Sequence, residues 1–303
     1  HTISYPVTGV QTCALPISGC NVILTNTFGA NSLKISGIGH TVPEIVDRAV
    51  KIAQRAIQDS ISPLKKSDIF IALDIGDLGQ LMEPIGTLTF QKAYDLFKEI
   101  VIAGVHAGVD LIIFETINDI YELKAAILAA KENSSLPILC SMNFLENGKT
   151  LTGTDPETMV YYLEGLGVDS VGMNCSLDPK SMSPIIKRIL DVASVPVLIK
   201  PNAGLPQESN GSLGHNISAK EFTMEMQQIA LLGAKILGGC CGTTPEFIQE
   251  ISIALNQIRP VIKDQKKTIA VACSANKSVL FNKGIVIIGE RINPTSRKRL
   301  KMP

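Results

Sequence analysis

Two adjacent cysteines, Cys240 and Cys241, stand between glycines at the end of an apolar run, in the segment KILGGCCGTTPEF. Neighbouring cysteines seldom form a disulfide with each other, because their Cα atoms lie about 3.8 Å apart and a relaxed bridge needs roughly 4.4 to 6.8 Å. A third cysteine, Cys175, closes another apolar run in the segment SVGMNCS. Three thiolates suit zinc, because they are soft anions that leave a fourth tetrahedral position free for catalysis. We therefore predict that these three cysteines bind a metal ion and act in catalysis.

The elements that carry these cysteines alternate along the chain from Cys20 onward. Short apolar runs alternate with longer segments of helical periodicity, and helix-start signals stand at Thr41, Asp155 and Thr244, each shortly before a proline. This alternation predicts a parallel sheet covered by helices. Nearly every run ends in polar residues. A barrel gathers such strand ends at one mouth, so we favour an α/β fold of the (β/α)8 TIM barrel type over an open doubly wound sheet. The seven predicted strands are 21–28, 69–76, 110–117, 137–144, 170–176, 195–203 and 235–242.

The composition argues against several classes of function. The chain has 28 basic and 28 acidic residues, so it has no overall field that attracts nucleic acid, and the absence of tryptophan argues against base-stacking surfaces. No apolar run approaches the roughly 20 residues that span a bilayer. Seven cysteines without the spacing of a secreted domain are typical of reduced thiols. We predict a cytoplasmic protein with neither a nucleic-acid nor a membrane partner.

The two ends of the chain differ from the repeating middle. Residues 1–18 lack helical periodicity and the regions of a secretory signal, and they look like the translation of a sequencing-library adapter. We treat them as non-native and expect a barrel over residues 19–258 that lacks its first strand. A polar linker follows over residues 259–280. Residues 281–303 then open with a fresh strand, and we interpret them as the truncated start of a second α/β barrel domain.

The segments GMNCS, KPNAG and GGCCGTTPEFI, in this order and spacing, resemble the homocysteine S-methyltransferase family. The segments VILTNTFGAN and DLIIFETINDIYELKAA extend the resemblance, so that it runs from about Cys20 to Leu255. The resemblance implies a barrel whose three cysteines hold zinc, and it carries that role to Cys175, Cys240 and Cys241.

The segment IIGERINPTSRK resembles the start of the pterin-binding domain that follows this barrel in cobalamin-dependent members of the family. There Glu290, Arg291 and Asn293 would contribute to a folate site of a whole protein. The resemblance thus implies a zinc-dependent methyltransferase that activates homocysteine as a thiolate and forms methionine. The methyl group would come from methylcobalamin and methyltetrahydrofolate, through a cobalamin-binding domain or protein that is not part of this chain.

Two alternatives stay open at this point. A family member that takes the methyl group from betaine or S-methylmethionine would share the barrel, although the pterin-domain segment argues against it. A barrel with a purely structural zinc site would act as a binding scaffold. Such a site needs a fourth protein ligand, and no histidine lies in a strand-end segment.

The orientation of an amino-acid substrate needs groups for an ammonium and a carboxylate. Glu115, at the end of LIIFE, is our candidate for the ammonium, and the resemblance supports it. Asn26 and Asn174 are candidates for polar contacts at the mouth, with support of the neighbouring zinc ligand as the alternative for Asn174. We interpret Lys200 as half of an internal ion pair. Two further strand-end acids are less favoured candidates: Asp74 and Asp77.

Overall fold

The computed structural model describes residues 18–60, 64–204, 206–209, 212–259, 269–281, 284–287 and 289, and of residues 206–209 and 212–215 only the backbone. Nearly all of the predicted adapter-like segment lies outside the described residues. The same holds for residues 260–268 of the predicted linker, for most of the predicted second domain, and for Glu290, Arg291 and Asn293.

A curled sheet of seven parallel strands forms the centre of the fold, and all seven predicted strands are confirmed. The strands follow one another in the sheet in chain order, whereas a doubly wound sheet reverses its order at a switch point. The sheet is therefore a half-barrel of the TIM type. Its strands are β1 (Val22–Leu24), β2 (Phe70–Ile75), β3 (Leu111–Ile117), β4 (Ile138–Met142), β5 (Ser170–Asn174), β6 (Val197–Lys200) and, after the hairpin β7 (Pro206–Ser209) and β8 (Ser212–His215), β9 (Ile236–Leu237).

Each strand of the sheet leads into a helix that covers its outer side. The three predicted helix starts are confirmed. Thr41 forms a capping box with Glu44, and the Asp155 carboxylate accepts a hydrogen bond from the Thr158 N–H in the first turn of its helix. Thr244 is the N-cap of its helix, and its side chain makes no capping hydrogen bond. No helix in the described residues is long and apolar enough to cross a membrane. The helices are α1 (Val42–Asp59), α2 (Phe90–Ala107), α3 (Ile120–Asn133), α4 (Pro156–Gly165), α5 (Pro179–Val192), α6 (Ala219–Leu232) and α7 (Pro245–Leu255).

A second hairpin lies within the predicted linker and packs against α4. Its strands are β10 (Val271–Cys273) and β11 (Ser278–Leu280), which pair in antiparallel fashion. The Thr154 hydroxyl donates a hydrogen bond of 2.7 Å to the Ala275 carbonyl in the turn of this hairpin. The described part of the linker is thus anchored to the loop that precedes α4.

The lumen of the half-barrel has an apolar layer below and a polar layer above. Side chains alternate between the two faces of a strand, so residues two apart point to the same side. The apolar layer contains Ala72, Leu111, Ile113, Leu139 and Leu198. On four strands, a polar residue follows two positions after one of these apolar residues, toward the carboxyl end of the strand. These polar residues are Asp74, Glu115, Ser141 and Lys200. The alternation therefore delivers a polar layer to the mouth of the barrel.

A cavity of about 640 Å³ opens between the first and last strands of the sheet. Within the described residues, β1 and β9 do not pair with each other. Val22 and Leu24 line one side of the cavity and Ile236 the other, while Lys200 and Cys240 line its upper end. The cavity therefore connects the apolar lumen with the polar layer and with one of the cysteines.

Glu122, in the first turn of α3, is a buried acid outside the lumen. Its carboxylate accepts a hydrogen bond of 2.7 Å from the Leu78 backbone N–H, which ties the loop after β2 to α3. Burial raises the pKa of Glu122 from 4.5 to about 7, against the lowering effect of the Leu78 bond. The folded state therefore holds this proton more tightly than the unfolded state does.

We predict that Glu122→Gln flattens the pH dependence of stability. In the wild type, protonated Glu122 contributes roughly 3 kcal/mol at most to the free energy of unfolding. This contribution is complete below about pH 4.5 and is lost as the pH rises through about 7. Gln keeps the acceptor for Leu78 and cannot ionise. Urea unfolding at pH 5 and pH 8 measures the difference, with the exposed α7 residue in Glu250→Gln as the control. A variant slope equal to the wild-type slope would contradict the assignment.

Candidate metal centre at the barrel mouth

The three predicted cysteines converge at the carboxyl ends of two strands. The sulfur atoms of Cys175, Cys240 and Cys241 all lie within 4.8 Å of one another, and the Cys175 and Cys241 sulfurs are 3.8 Å apart. Cys175 directly follows β5, and the other two follow β9. The prediction that these thiols meet, although Cys175 lies 65 positions before Cys240 in sequence, is confirmed.

A turn after β9 lets two adjacent side chains reach one point. Along an extended strand, neighbouring side chains point to opposite faces, so both cysteines cannot meet one ligand there. The Cys240 N–H still bonds to the Pro201 carbonyl at 2.8 Å, but the Thr243 N–H then donates to the Cys240 carbonyl at 3.2 Å and closes a turn. Gly242 occupies the left-handed region with φ of 80°, which glycine adopts at no steric cost. The turn brings Cys241 to the same side as Cys240.

Cys175 reaches the cluster from a strained backbone. Its φ is 60° and that of Ser176 is 63°, a left-handed conformation that costs a residue other than glycine about 1 to 3 kcal/mol. The Cys175 N–H donates to the Lys200 carbonyl at 3.0 Å, so the pairing of β5 with β6 continues up to this residue. Such strain persists only where the surrounding structure enforces it, and it is typical of functional sites.

The cluster fits a tetrahedral zinc ion. With Zn–S distances near 2.3 Å, the edges of a tetrahedron measure about 3.8 Å, and the Cys175–Cys241 distance equals this value. Hydrogen bonds from Cys240 and Cys241 lower the pKa of Cys175 to about 3, and the same contacts raise the pKa of both donors. The contacts among the three sulfurs therefore favour the thiolate form of Cys175 over that of the other two cysteines. Zinc would bind the cysteines as thiolates and displace their thiol protons.

Asn174 joins the cluster to the end of β3. It is fully buried, and its Oδ1 accepts from the Thr116 N–H at 2.9 Å and from the Ser141 hydroxyl at 2.7 Å. Its Nδ2 donates to the Thr116 hydroxyl at 2.6 Å and lies 3.8 Å from the Cys240 sulfur. Thr116 itself has a left-handed φ of 59°. Asn174 therefore holds a strained residue and a cluster thiol with one amide group.

A buried ion pair lies below the cluster. The Lys200 ammonium donates to the Glu115 carboxylate, and the two residues are 8% and 6% exposed. Burial alone would lower the pKa of Lys200, but the negative charges of Glu115 and Asp74 outweigh it and raise that pKa. The interpretation of Lys200 as half of an internal ion pair is confirmed.

The other predicted residues lie in different surroundings. Asn26 follows β1 and is exposed. Asp77 pairs with Lys34 at 2.9 Å outside the cluster. Asp74, by contrast, is buried in the polar layer of the lumen. The cluster therefore unites the three cysteines with Asn174, and Glu115 lies in the layer beneath.

Asn202 is a residue that the sequence analysis did not assign to the site. Its Oδ1 accepts a hydrogen bond of 3.1 Å from the Cys241 N–H, so it fixes the backbone of one predicted ligand. The segment KPNAG, which contains Asn202, is one of the segments that carry the family resemblance. That resemblance was the signal that could have pointed to Asn202. Thr116 and Ser141 were missed as well, because their contacts depend on how neighbouring strand ends are aligned.

We predict that Asn174→Leu weakens zinc binding by about 10- to 100-fold, as the loss of groups that orient metal ligands typically does. The variant keeps the size of the side chain and removes the contacts to Thr116 and Cys240. Chelator competition on the full chain measures the affinity. Ser141→Ala is the matched control, because it removes a single contact to Oδ1 and leaves the other three. Equal losses in both variants, or none in Asn174→Leu, would refute the role of Asn174.

Comparison with known proteins agrees with this geometry. A family model described as homocysteine S-methyltransferase matches residues 17–255. The methionine synthase of Mycobacterium tuberculosis (strain ATCC 25618 / H37Rv) is 27% identical over 291 residues, which cover 93% of this chain and 24% of that protein. The methionine synthase of Mycobacterium leprae (strain TN) is 28% identical over 246 residues, which cover 78% and 20%. The chain thus spans about a quarter of the length of these curated relatives.

Solved structures share the fold. The metallated form of the homocysteine methyltransferase MmuM from Escherichia coli superposes with a TM-score of 0.68 at 17% identity, over 81% of this chain and 83% of that chain. Its oxidized form gives a TM-score of 0.69 at 18% identity over the same shares. At this identity the likeness supports the barrel architecture of the chain.

Proposed function

Because the chain belongs to the homocysteine S-methyltransferase family, we propose that it binds homocysteine and activates its thiol for methyl transfer, forming methionine. The observation that carries this proposal is the convergence of three sulfurs within 4.8 Å at a barrel mouth, directly above a buried charged layer. The three sulfurs offer a place for a substrate thiol, and the charged layer offers a place for an amino-acid head group.

Three cysteines would hold zinc in this proposal: Cys175, Cys240 and Cys241. A zinc ion bound there supplies a Lewis acid that favours the thiolate form of a substrate thiol, whose pKa is ordinarily about 8.5. The residues of the chain hold the ligands in place. Asn174 bonds to Cys240, and Asn202 fixes the backbone of Cys241.

Glu115 is our proposed partner for the substrate ammonium. Lys200 occupies one oxygen of its carboxylate, so the pair is held in place before a substrate arrives. Lys200 also lines the cavity that reaches Cys240, which places the ion pair beside the space that a ligand of the cluster would enter. Asn26, exposed at the end of β1, is proposed as a polar contact at the mouth.

The methyl donor in this proposal is methylcobalamin recharged by methyltetrahydrofolate, presented by a cobalamin-binding domain or protein. The sequence relatives are methionine synthases about four to five times as long as the matched regions, and residues 287–298 resemble the start of a pterin-binding domain. The predicted limits of 19–258 for the barrel, 259–280 for the linker and 281–303 for the second domain are part of the proposal. A cytoplasmic location is part of it too, since the described cysteines are free thiols.

The alternative methyl donor is betaine or S-methylmethionine, since family members that use these donors share the same barrel. The structural-zinc scaffold is less well supported. Structural zinc sites are closed by four protein ligands, and the only metal-ligating group found within the described residues contains three cysteines.

Metal content and calorimetry on the full chain test the proposal. We predict a single zinc ion per chain, which is lost in Cys175→Ala, Cys240→Ala and Cys241→Ala because each removes one of three ligands. Homocysteine binding, measured by isothermal titration calorimetry, should require the metal. Cys273→Ser, in the hairpin away from the cluster, is the control and should keep both. Zinc retained in the three alanine variants, or homocysteine bound equally without zinc, would overturn the proposal.

A further inference from the structure

The end of β3 contains a bulge beside the cysteine cluster. The pairing of β3 with β4 shifts by one residue between Phe114 and Ile117. Glu115 and Thr116 therefore stand together opposite Ser141 of β4. Bulges re-aim side chains, and they are frequent next to active sites. This bulge allows two successive residues of β3 to contribute side chains to the mouth of the barrel.

Both side chains of the bulge reach into the barrel. Along a regular strand, successive side chains point to opposite faces. Here the Glu115 carboxylate accepts from Lys200, and the Thr116 hydroxyl accepts from the Nδ2 of Asn174 at 2.6 Å. Asn174 lies two residues beyond the position of β5 that pairs with the lumen residue Leu198. The Thr116 hydroxyl therefore lies on the lumen side of the sheet.

The backbone of Thr116 is held in an unfavourable conformation. Its φ of 59° lies in the left-handed region, which is rare for a β-branched residue and which glycine adopts at no steric cost. Strained residues of this kind cluster at functional sites. The hydroxyl that this strained residue carries to the mouth is therefore a candidate for contact with a ligand.

The Thr116 hydroxyl retains a proton that it can donate. A threonine hydroxyl donates one hydrogen bond and accepts up to two. Asn174 occupies one of the acceptor positions, and no acceptor for the hydroxyl proton is found in the part of the chain that the structure describes. Thr116 is only half-buried, so a molecule at the mouth can reach this proton.

Asn174 holds this hydroxyl beside the cysteine cluster. Its Nδ2 lies 2.6 Å from the Thr116 oxygen and 3.8 Å from the Cys240 sulfur. A fourth sulfur that completed a tetrahedron with the three cysteine sulfurs would lie about 3.8 Å from each of them. A thiolate accepts charge-assisted hydrogen bonds, whereas a thioether sulfur is a weak acceptor. The hydroxyl is therefore suited to recognise a thiolate.

We propose that the Thr116 hydroxyl donates a hydrogen bond to the sulfur of a thiolate ligand at the cysteine cluster, and so favours a thiolate substrate over its thioether product. Asn174 orients the hydroxyl, because its amide binds the Thr116 oxygen through Nδ2 and the Thr116 N–H through Oδ1. The inference rests on the proposed function, since it assumes that a substrate thiol binds at this cluster.

The test uses three variants of Thr116 in the zinc-loaded full chain. Thr116→Val removes the hydroxyl and keeps the shape, Thr116→Gly removes it in a residue that accepts the backbone conformation, and Thr116→Ser keeps it. Thr223→Val in α6 is the matched control, because its hydroxyl is buried and has no partner among the described residues. Zinc content is measured first, and isothermal titration calorimetry then gives the dissociation constant of homocysteine.

A second readout reports on the ligand sulfur itself. Homocysteine is added to the chain loaded with cobalt(II) in place of zinc, and the difference spectrum records the sulfur-to-cobalt charge-transfer band of the added ligand. A hydrogen bond lowers the energy of the sulfur lone pairs, so loss of the bond should move this band to longer wavelength. A hydroxyl that only supports the surrounding structure would leave the band in place.

We expect Thr116→Val and Thr116→Gly to keep zinc, to weaken homocysteine binding by about five- to tenfold and to move the band, because each loses a charge-assisted hydrogen bond. Thr116→Ser should restore most of the affinity, and Thr223→Val should change neither readout. Unchanged binding in the Val and Gly variants, weaker binding with an unmoved band, or loss of zinc in both would overturn the inference. Failure of the wild type to bind homocysteine would instead overturn the proposed function.

Discussion

The site depends on the parallel register of the strands, which brings their carboxyl ends to one mouth. Because side chains alternate along a strand, the lumen receives an apolar layer and, two residues further on, a polar layer from neighbouring strands. The cysteines then lie one step beyond this layer, where the strands end. A shift of one residue in the register would turn the polar layer toward the helices and separate the sulfurs.

Three residues at this mouth hold left-handed backbone conformations without being glycine: Thr116, Cys175 and Ser176. Each conformation is unfavourable by itself, and buried hydrogen bonds hold two of them in place. Asn174 bonds to both the backbone and the hydroxyl of Thr116, and the Lys200 carbonyl binds the Cys175 N–H. The network therefore couples the strand that carries Glu115 to the strand ends that carry the cysteines. Backbone strain of this kind is typical of functional sites, where the surrounding structure holds side chains in fixed positions.

The sequence analysis predicted the seven strands correctly, because buried parallel strands are continuous apolar runs. It also predicted the cysteine cluster, since two thiols side by side at a strand end, with glycines around them, are typical of a metal site. It did not distinguish Asp74 from Asp77, which look alike in sequence. The first points into the lumen in register with Ile113, and the second lies beyond the strand beside Lys34. Contacts such as those of Asn174 and Asn202 depend on the alignment of distant strand ends, which the spacing of residues does not reveal.

The most direct measurement of the central claim is X-ray absorption at the zinc edge of the zinc-loaded full chain, before and after homocysteine is added. The account predicts three sulfur neighbours and one nitrogen or oxygen neighbour at first. On addition of homocysteine a fourth sulfur at roughly 2.3 Å should replace the lighter atom. A coordination shell that contains four protein ligands from the start, or that does not change with homocysteine, would contradict the claim that this cluster activates a substrate thiol.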